Sequence, residues 1–160
     1  VNSVEELRFL VLAAQREGNR ILLDLLRPLG VSPSQAEVIR VLADHGPLSL
    51  VDLGALLVCE TGSPSRLVDG LVAASLVERM PAVDDRRRVI LSLTDAGREK
   101  EVSIREVEAT LHGFIEQSLT TAEIASVNAT LHKFVSGRPA GIAVAKRSAT
   151  PGQRRYAPST

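Results

Sequence analysis

A chain of 160 residues with 44% hydrophobic and 24% charged content carries enough apolar side chain for one packed domain, and its composition is neither disordered nor fibrous. No run approaches the roughly 20 uninterrupted apolar residues that cross a bilayer, and the N-terminal residues lack the basic start and apolar stretch of a secretory signal, so a cytoplasmic location without a membrane partner is expected. The formal net charge is zero, yet the charge is segregated: residues 137–160 hold five basic and no acidic side chains, and Arg86, Arg87 and Arg88 are consecutive.

In chain order, Ser3-Val4-Glu5-Glu6 reads as a capping box that starts a helix running to about Arg27. Leu7, Leu10, Val11, Ala14, Gly18, Ile21, Leu22 and Leu25 form one helical stripe, with Phe9, Leu12, Leu23 and Leu26 adding apolar surface beside it, so this helix needs cover on two sides. Pro28 and Gly30 break the chain. Ser32-Pro33-Ser34-Gln35 restarts it with a second capping box and a proline at the first helical position, and His45-Gly46-Pro47 ends that helix. Ser49 caps a third, short helix to about Leu57, with Leu53 and Leu56 inward, and a turn leads to a fourth helix ending near Ser75, a helix-turn-helix spacing.

Leu76 to Met80 and Val89 to Leu93 are short, rich in β-branched residues and separated by Pro, Asp and Arg, which predicts a two-stranded hairpin. Thr94 caps a fifth helix with apolar residues at Ile104, Val107, Leu111, Phe114 and Ile115. Thr120-Thr121-Ala122-Glu123 caps a sixth, with Ile124, Val127, Leu131, Phe134 and Val135 on one side. From Gly137 onward, prolines and glycines predict an irregular basic tail of limited order.

The ordered set Thr61-Gly62-Ser63-Pro64-Ser65-Arg66-Leu67-Val68-Asp69-Gly70-Leu71, Leu76-Val77-Glu78-Arg79, and Asp85-Arg86-Arg87-Arg88-Val89-Ile90-Leu91-Ser92-Leu93-Thr94-Asp95-Ala96-Gly97 resembles the MarR family of bacterial transcriptional regulators. With the flanking helices, the resemblance covers about residues 3 to 136. It implies a mainly α fold with a small β-hairpin wing: a winged helix-turn-helix at 31–94, a dimerisation helix at 1–30, further dimerisation helices at 95–136, and the basic tail at 137–160.

The residues suit that reading. Short polar groups at Thr61, Ser63 and Ser65 offer donors and acceptors to base edges in the major groove, although Ser63 followed by Pro64 is equally a helix cap. Arg66 suits either a bidentate contact to guanine or a phosphate. The family pattern pairs Arg87 with Asp69 as a wing-stabilising contact, which leaves Arg86 and Arg88 to reach the minor groove. Gly70 stands where the family commonly has an arginine, and Ser75 where a glycine usually ends the recognition helix in left-handed geometry.

The same resemblance implies a homodimer that places two recognition helices on two half-sites of a pseudo-palindrome in double-stranded DNA, acting as a repressor and in many members released by a small-molecule effector. For an effector, Arg16, Asn19, Arg20 and His112 are the polar groups to consider, with interhelical or surface salt bridges an equally good account of them.

Three alternatives remain open at this level. One is effector-independent control through Cys59, the single cysteine, whose pKa a helix N-terminus would lower; small buried filler is the simpler role. Another is a winged helix used only for protein contact, which needs neither Arg66 nor Arg86. A metal shared by His112, Glu116 and His132 is a third, although two such ligands at that spacing are common by chance. No cofactor or metal is expected. No Gly-rich phosphate loop, nucleophile elbow or His-Glu-x-x-His pattern occurs, so an enzyme is not expected either.

Overall fold

The structure, a computed structural model, describes residues 2–59 and 63–149. Helix α1 (Ser3–Leu26) leads through a 3-10 turn (Arg27–Leu29) to α2 (Pro33–His45), α3 (Leu50–Gly54) and α4 (Pro64–Ala73). Strands β1 (Val77–Pro81) and β2 (Val89–Leu93) follow, then α5 (Asp95–Ser118), α6 (Thr121–Val135) and α7 (Pro139–Ala149). The strands pair antiparallel with Val77 opposite Leu93 and Pro81 opposite Val89, and Leu48 adds a single bridge to Leu91 on the other side of β2. That third contact has no signal in the sequence, because one residue between two prolyl and seryl turns shows no period.

Most helix starts follow the local chemistry. Ser32 Oγ accepts from Gln35 N at 3.2 Å while the Gln35 side chain accepts from Ser32 N at 2.9 Å, and Thr120 with Glu123 repeats the device at α6. Each such cap is worth about 1 kcal/mol. Hydrogen bonds from the Thr120 backbone and hydroxyl hold the Glu123 carboxyl below its ordinary pKa. The first helix differs from expectation. Asn2, not Ser3, is the cap, its Oδ1 accepting from Val4 N at 3.0 Å and Glu5 N at 2.9 Å, because an amide oxygen one residue earlier reaches two free donors at once.

The expected irregular tail is also corrected: residues 139–149 form α7. Pro139 takes the first helical position and Ala140, Ala143, Ala145, Lys146, Arg147 and Ala149 are strong helix formers, so residue type outweighs the proline and glycine content around them.

The core belongs to the middle of the chain. Leu26 from the end of α1, Val38, Ile39 and Val41 of α2, Leu53 of α3, Val68 and Leu71 of α4, Val77 and Leu91 of the hairpin and Ile104 of α5 are all fully enclosed. Outside it, the first half of α1, the end of α5 and nearly all of α6 leave large apolar side chains in solvent, including Leu7, Phe9, Leu10, Phe114, Ile115, Val127, Leu131 and Phe134.

The winged unit is tied to α5 by charge as well as by packing. Arg40 of α2 donates to Glu101 at 2.5 Å and to Glu108 at 2.9 Å, and Arg105 of α5 reaches Asp44 of α2 at 2.9 Å and also pairs with Glu101. Burial works against the Arg40 charge, but Glu108, Asp44 and Glu101 outweigh it and raise the guanidinium above its ordinary pKa.

Candidate nucleic-acid interface

Helix α4 is closed at its C-terminus by local geometry. Leu76 N donates to Leu71 O at 2.9 Å and Ser75 N to Val72 O at 2.9 Å, the paired bonds that close a helix through a left-handed residue. Ser75 supplies that conformation with φ of 58°, the one non-glycine residue with positive φ among those described. The strain of a side chain there is offset by Thr94, whose hydroxyl donates to Ser75 O at 2.7 Å and accepts from Gly97 N at 3.0 Å. Thr94 therefore caps α5 and clamps the end of α4 with one oxygen. Gly97 completes the joint: a Cβ there would lie 2.0 Å from Leu76 O, so only glycine lets α5 pass this close to the chain leaving α4.

At the N-terminus of α4, Ser63 occupies the cap position but its side chain does not cap; its Oγ bonds Ser65 Oγ at 2.7 Å. Thr61 lies outside the described residues. Val68 and Leu71 face the core, while Arg66, Asp69 and Gly70 are on the exposed side. The Arg66 guanidinium has no ion-pair partner among the described residues. Gly70 has Gln35 Nε2 at 3.5 Å from an added Cβ, so the position has room for a side chain.

The hairpin reassigns one of the wing pairings. Asp69 pairs with Arg79 of β1, not with Arg87. The physical reason is position: β1 packs along α4 and brings Arg79 beside Asp69, whereas Arg87 sits in the turn beyond the strands. Arg79 stands in the quoted motif, and its role was hidden because strand register, not spacing, decides which arginine meets the helix. In the turn, Ala82 N donates to Arg88 O at 2.8 Å, and Asp85 accepts from Arg88 N at its carbonyl and from Arg87 N at its carboxylate.

The Arg88 guanidinium is engaged by Asp84 at 3.2 Å. Arg86 and Arg87 are the two exposed guanidinium groups of the wing with no ion pair among the described residues. The Arg88 pair is more than half exposed, and such pairs are worth about 0–1 kcal/mol, so it orients Arg88 without locking it.

Two further expectations meet the structure here. Cys59 precedes α4, but burial, and then Glu37 beside it, push its thiol pKa up to about 11, the opposite of the lowering a helix N-terminus would give. It is a protonated thiol at neutral pH. Among the described residues no group of three His, Cys, Asp or Glu side chains is placed to hold a metal, so His112, Glu116 and His132 do not converge. Of the polar groups considered for an effector, Arg16 and Arg20 line an open hollow of about 700 Å³ on α1 together with Phe9, Leu12, Ala13 and Glu17; Asn19 and His112 do not line it. Arg20 is there paired with Glu17 at 2.8 Å.

Helices packed on a two-stranded hairpin, with a fourth helix exposed beside a charged wing, define a winged helix-turn-helix protein. The MarR family model matches residues 31–89, from just before α2 to the start of β2, and the chain is similar to transcriptional regulators of that family. It is 29% identical over 133 residues to the multiple antibiotic resistance protein MarR of Escherichia coli, covering 82% of this chain and 92% of that one. The organic hydroperoxide resistance transcriptional regulator of Bacillus subtilis is 26% identical, over 71% of this chain and 77% of its own length. A crystal structure of a mutant E. coli MarR complexed with operator DNA superposes with a TM-score of 0.75 at 27% identity, over 84% of this chain and 96% of that one.

Proposed function

We propose that this regulator binds double-stranded DNA as a homodimer in the cytoplasm, with α4 in the major groove and the wing at the adjacent minor groove. The carrying observation is that Arg66 on the exposed side of α4 and Arg86 and Arg87 at the wing tip are guanidinium groups with no ion-pair partner among the described residues, on the two halves of one winged unit. Arginine at these places suits guanine edges, phosphates and narrow minor grooves. Ser63 and Ser65 add short polar groups at the start of α4, and Arg88 joins by exchanging Asp84 for phosphate. The relative solved with operator DNA supports the same mode of docking here.

The homodimer rests on exposed apolar surface. Leu7, Phe114 and Phe134 are each about half exposed or more (53%, 46% and 64%), on α1, α5 and α6 respectively, far more apolar surface than a monomer leaves open. The chain divides accordingly: the first helix and α5–α6 associate, and residues 31–94 read DNA. Repression is the sign of regulation we favour. Release by a small anionic ligand at Arg16 and Arg20 is the effector reading, since both line the α1 hollow. The protonated Cys59 thiol weighs against a thiol switch at that residue.

A gel-shift titration of the Arg66→Ala/Arg86→Ala double variant tests the assignment. Against a duplex selected on the wild-type protein, affinity falls and the slope of log K against log salt becomes shallower by about 0.9 for each phosphate contact removed. Unchanged affinity and slope in the double variant would point to a winged helix used for protein contact.

A further inference from the structure

Glu37, in the middle of α2, is the most heavily used carboxylate near α4, and none of its partners is on α2. Its Oε1 accepts from Val58 N at 2.7 Å and its Oε2 from Cys59 N at 2.9 Å. These two successive amides lie in the connection from α3 to α4, beyond the last turn of α3, and the carboxylate gives both a partner that no helix supplies. Its side chain is only 13% exposed, so its charge needs a cation. That cation is Arg147 of α7, whose Nη1 donates to Oε1 at 2.6 Å across 110 residues of sequence.

Helix α7 is built to deliver Arg147. Gly137, at φ of 71°, reverses the chain after α6, and Arg138 N donates to Val135 O at 3.1 Å. Gly141 lets α7 press on the end of α6: a Cβ there would lie 2.1 Å from Val135 O. Ala143 is buried as well. The C-terminal helix is thus packed near its start and ends in an ion pair with the carboxylate that holds the approach to α4.

We propose that Arg147 and Glu37 are positioning residues for DNA reading: α7, through Glu37, fixes the Val58–Cys59 backbone and with it the placement of α4. The proposal rests on the DNA-binding reading above. Neither residue touches DNA in this account; Arg147 keeps the Glu37 carboxylate compensated, and Glu37 keeps two amides in one conformation. A loosened turn makes α4 sample more orientations, and the ordering that binding then requires weakens affinity without removing a phosphate contact.

The test uses the full-length chain as wild type, Arg147→Ala and Arg147→Lys, with a duplex selected from random-sequence DNA on the wild-type protein. In R147A, hydrogen exchange at the Val58 and Cys59 amides accelerates by about tenfold or more. Dissociation constants rise about five- to tenfold while the salt slope stays at the wild-type value. R147K restores most of both, because an ammonium still compensates the carboxylate.

Unchanged exchange at both amides in R147A overturns the proposal. So does faster exchange with unchanged DNA affinity, which would make the contact structural only. A salt slope shallower by about 0.9 with unaltered exchange would make Arg147 a phosphate contact instead. If the wild-type protein selects no duplex, the DNA reading fails and the proposal with it, while the exchange measurement still reports whether Arg147 holds the turn.

Discussion

Replacing Gly97 by Ala should destabilise the protein although it adds a strong helix former to the first turn of α5. An alanine Cβ would stand 2.0 Å from Leu76 O and 3.1 Å from Leu76 C, with Leu93 Cδ2 at 3.3 Å. The obstacle is backbone, so relief requires α5 to move by more than an ångström relative to the hairpin. That movement stretches Thr94 N to Leu76 O (3.2 Å) and the Thr94 hydroxyl to Ser75 O (2.7 Å). Each of the two lost bonds costs about 1 kcal/mol net and the overpacking about 1–3 kcal/mol, which together give about 3–5 kcal/mol.

Urea denaturation at fixed protein concentration measures this directly, because a dimer's apparent stability depends on concentration. With an m-value of about 2 kcal/mol/M, the midpoint should fall by about 1.5–2.5 M. Gly70→Ala is the matched control. Its new Cβ meets only the Gln35 side chain at 3.5 Å, in ordinary contact, so the helix-propensity gain of up to about 1 kcal/mol survives and the midpoint rises. A G97A midpoint at or above wild type would refute the close-approach argument, and identical shifts in the two variants would refute the assignment of their difference to the Leu76 backbone.

Other outcomes follow from the charge network and the thiol. Arg40→Ala leaves Glu101 and Glu108 with one fewer cation in a half-buried cluster and should cost about 3 kcal/mol at pH 7, whereas Arg40→Lys, which keeps a cation there, should lose clearly less in urea denaturation; equal losses in the two variants would contradict the charge account. Cys59, with its thiol at about 11 against an ordinary 9.0, should alkylate slowly with iodoacetamide at pH 8 in the folded protein and quickly after unfolding. Because the folded pKa is raised, that group's contribution to stability is complete below pH 9.0 and is lost as pH rises through about 11; a thiol titrating below 9 would reverse both statements. Gly70→Arg should tighten DNA binding and steepen the salt slope by about 0.9, since the site is exposed and has room.

Local chemistry determined much of this protein from the sequence alone. Ser32-Pro33 with Gln35, Thr94 with Gly97 and Thr120 with Glu123 fixed three helix starts, because a cap needs only residues within four positions of one another. The apolar periodicity gave the core positions Leu53, Leu56 and Ile104, and also the unsatisfied stripe of α1 and α6. The ordered motif from Thr61 to Gly97 gave the winged unit.

Tertiary structure decided what depends on who faces whom. That Asp69 meets Arg79 and Arg88 meets Asp84 follows from strand register and hairpin shape, which charge spacing does not encode. The Cys59 thiol is raised and not lowered because burial and Glu37 act on it from across the fold. Glu37 itself is an unremarkable helix residue in the sequence, and Arg147 lies in a stretch whose glycines and prolines suggested no structure. They meet because the folded chain brings α7 within side-chain reach of α2 across 110 residues of sequence, a contact that nothing within a few residues of either partner encodes.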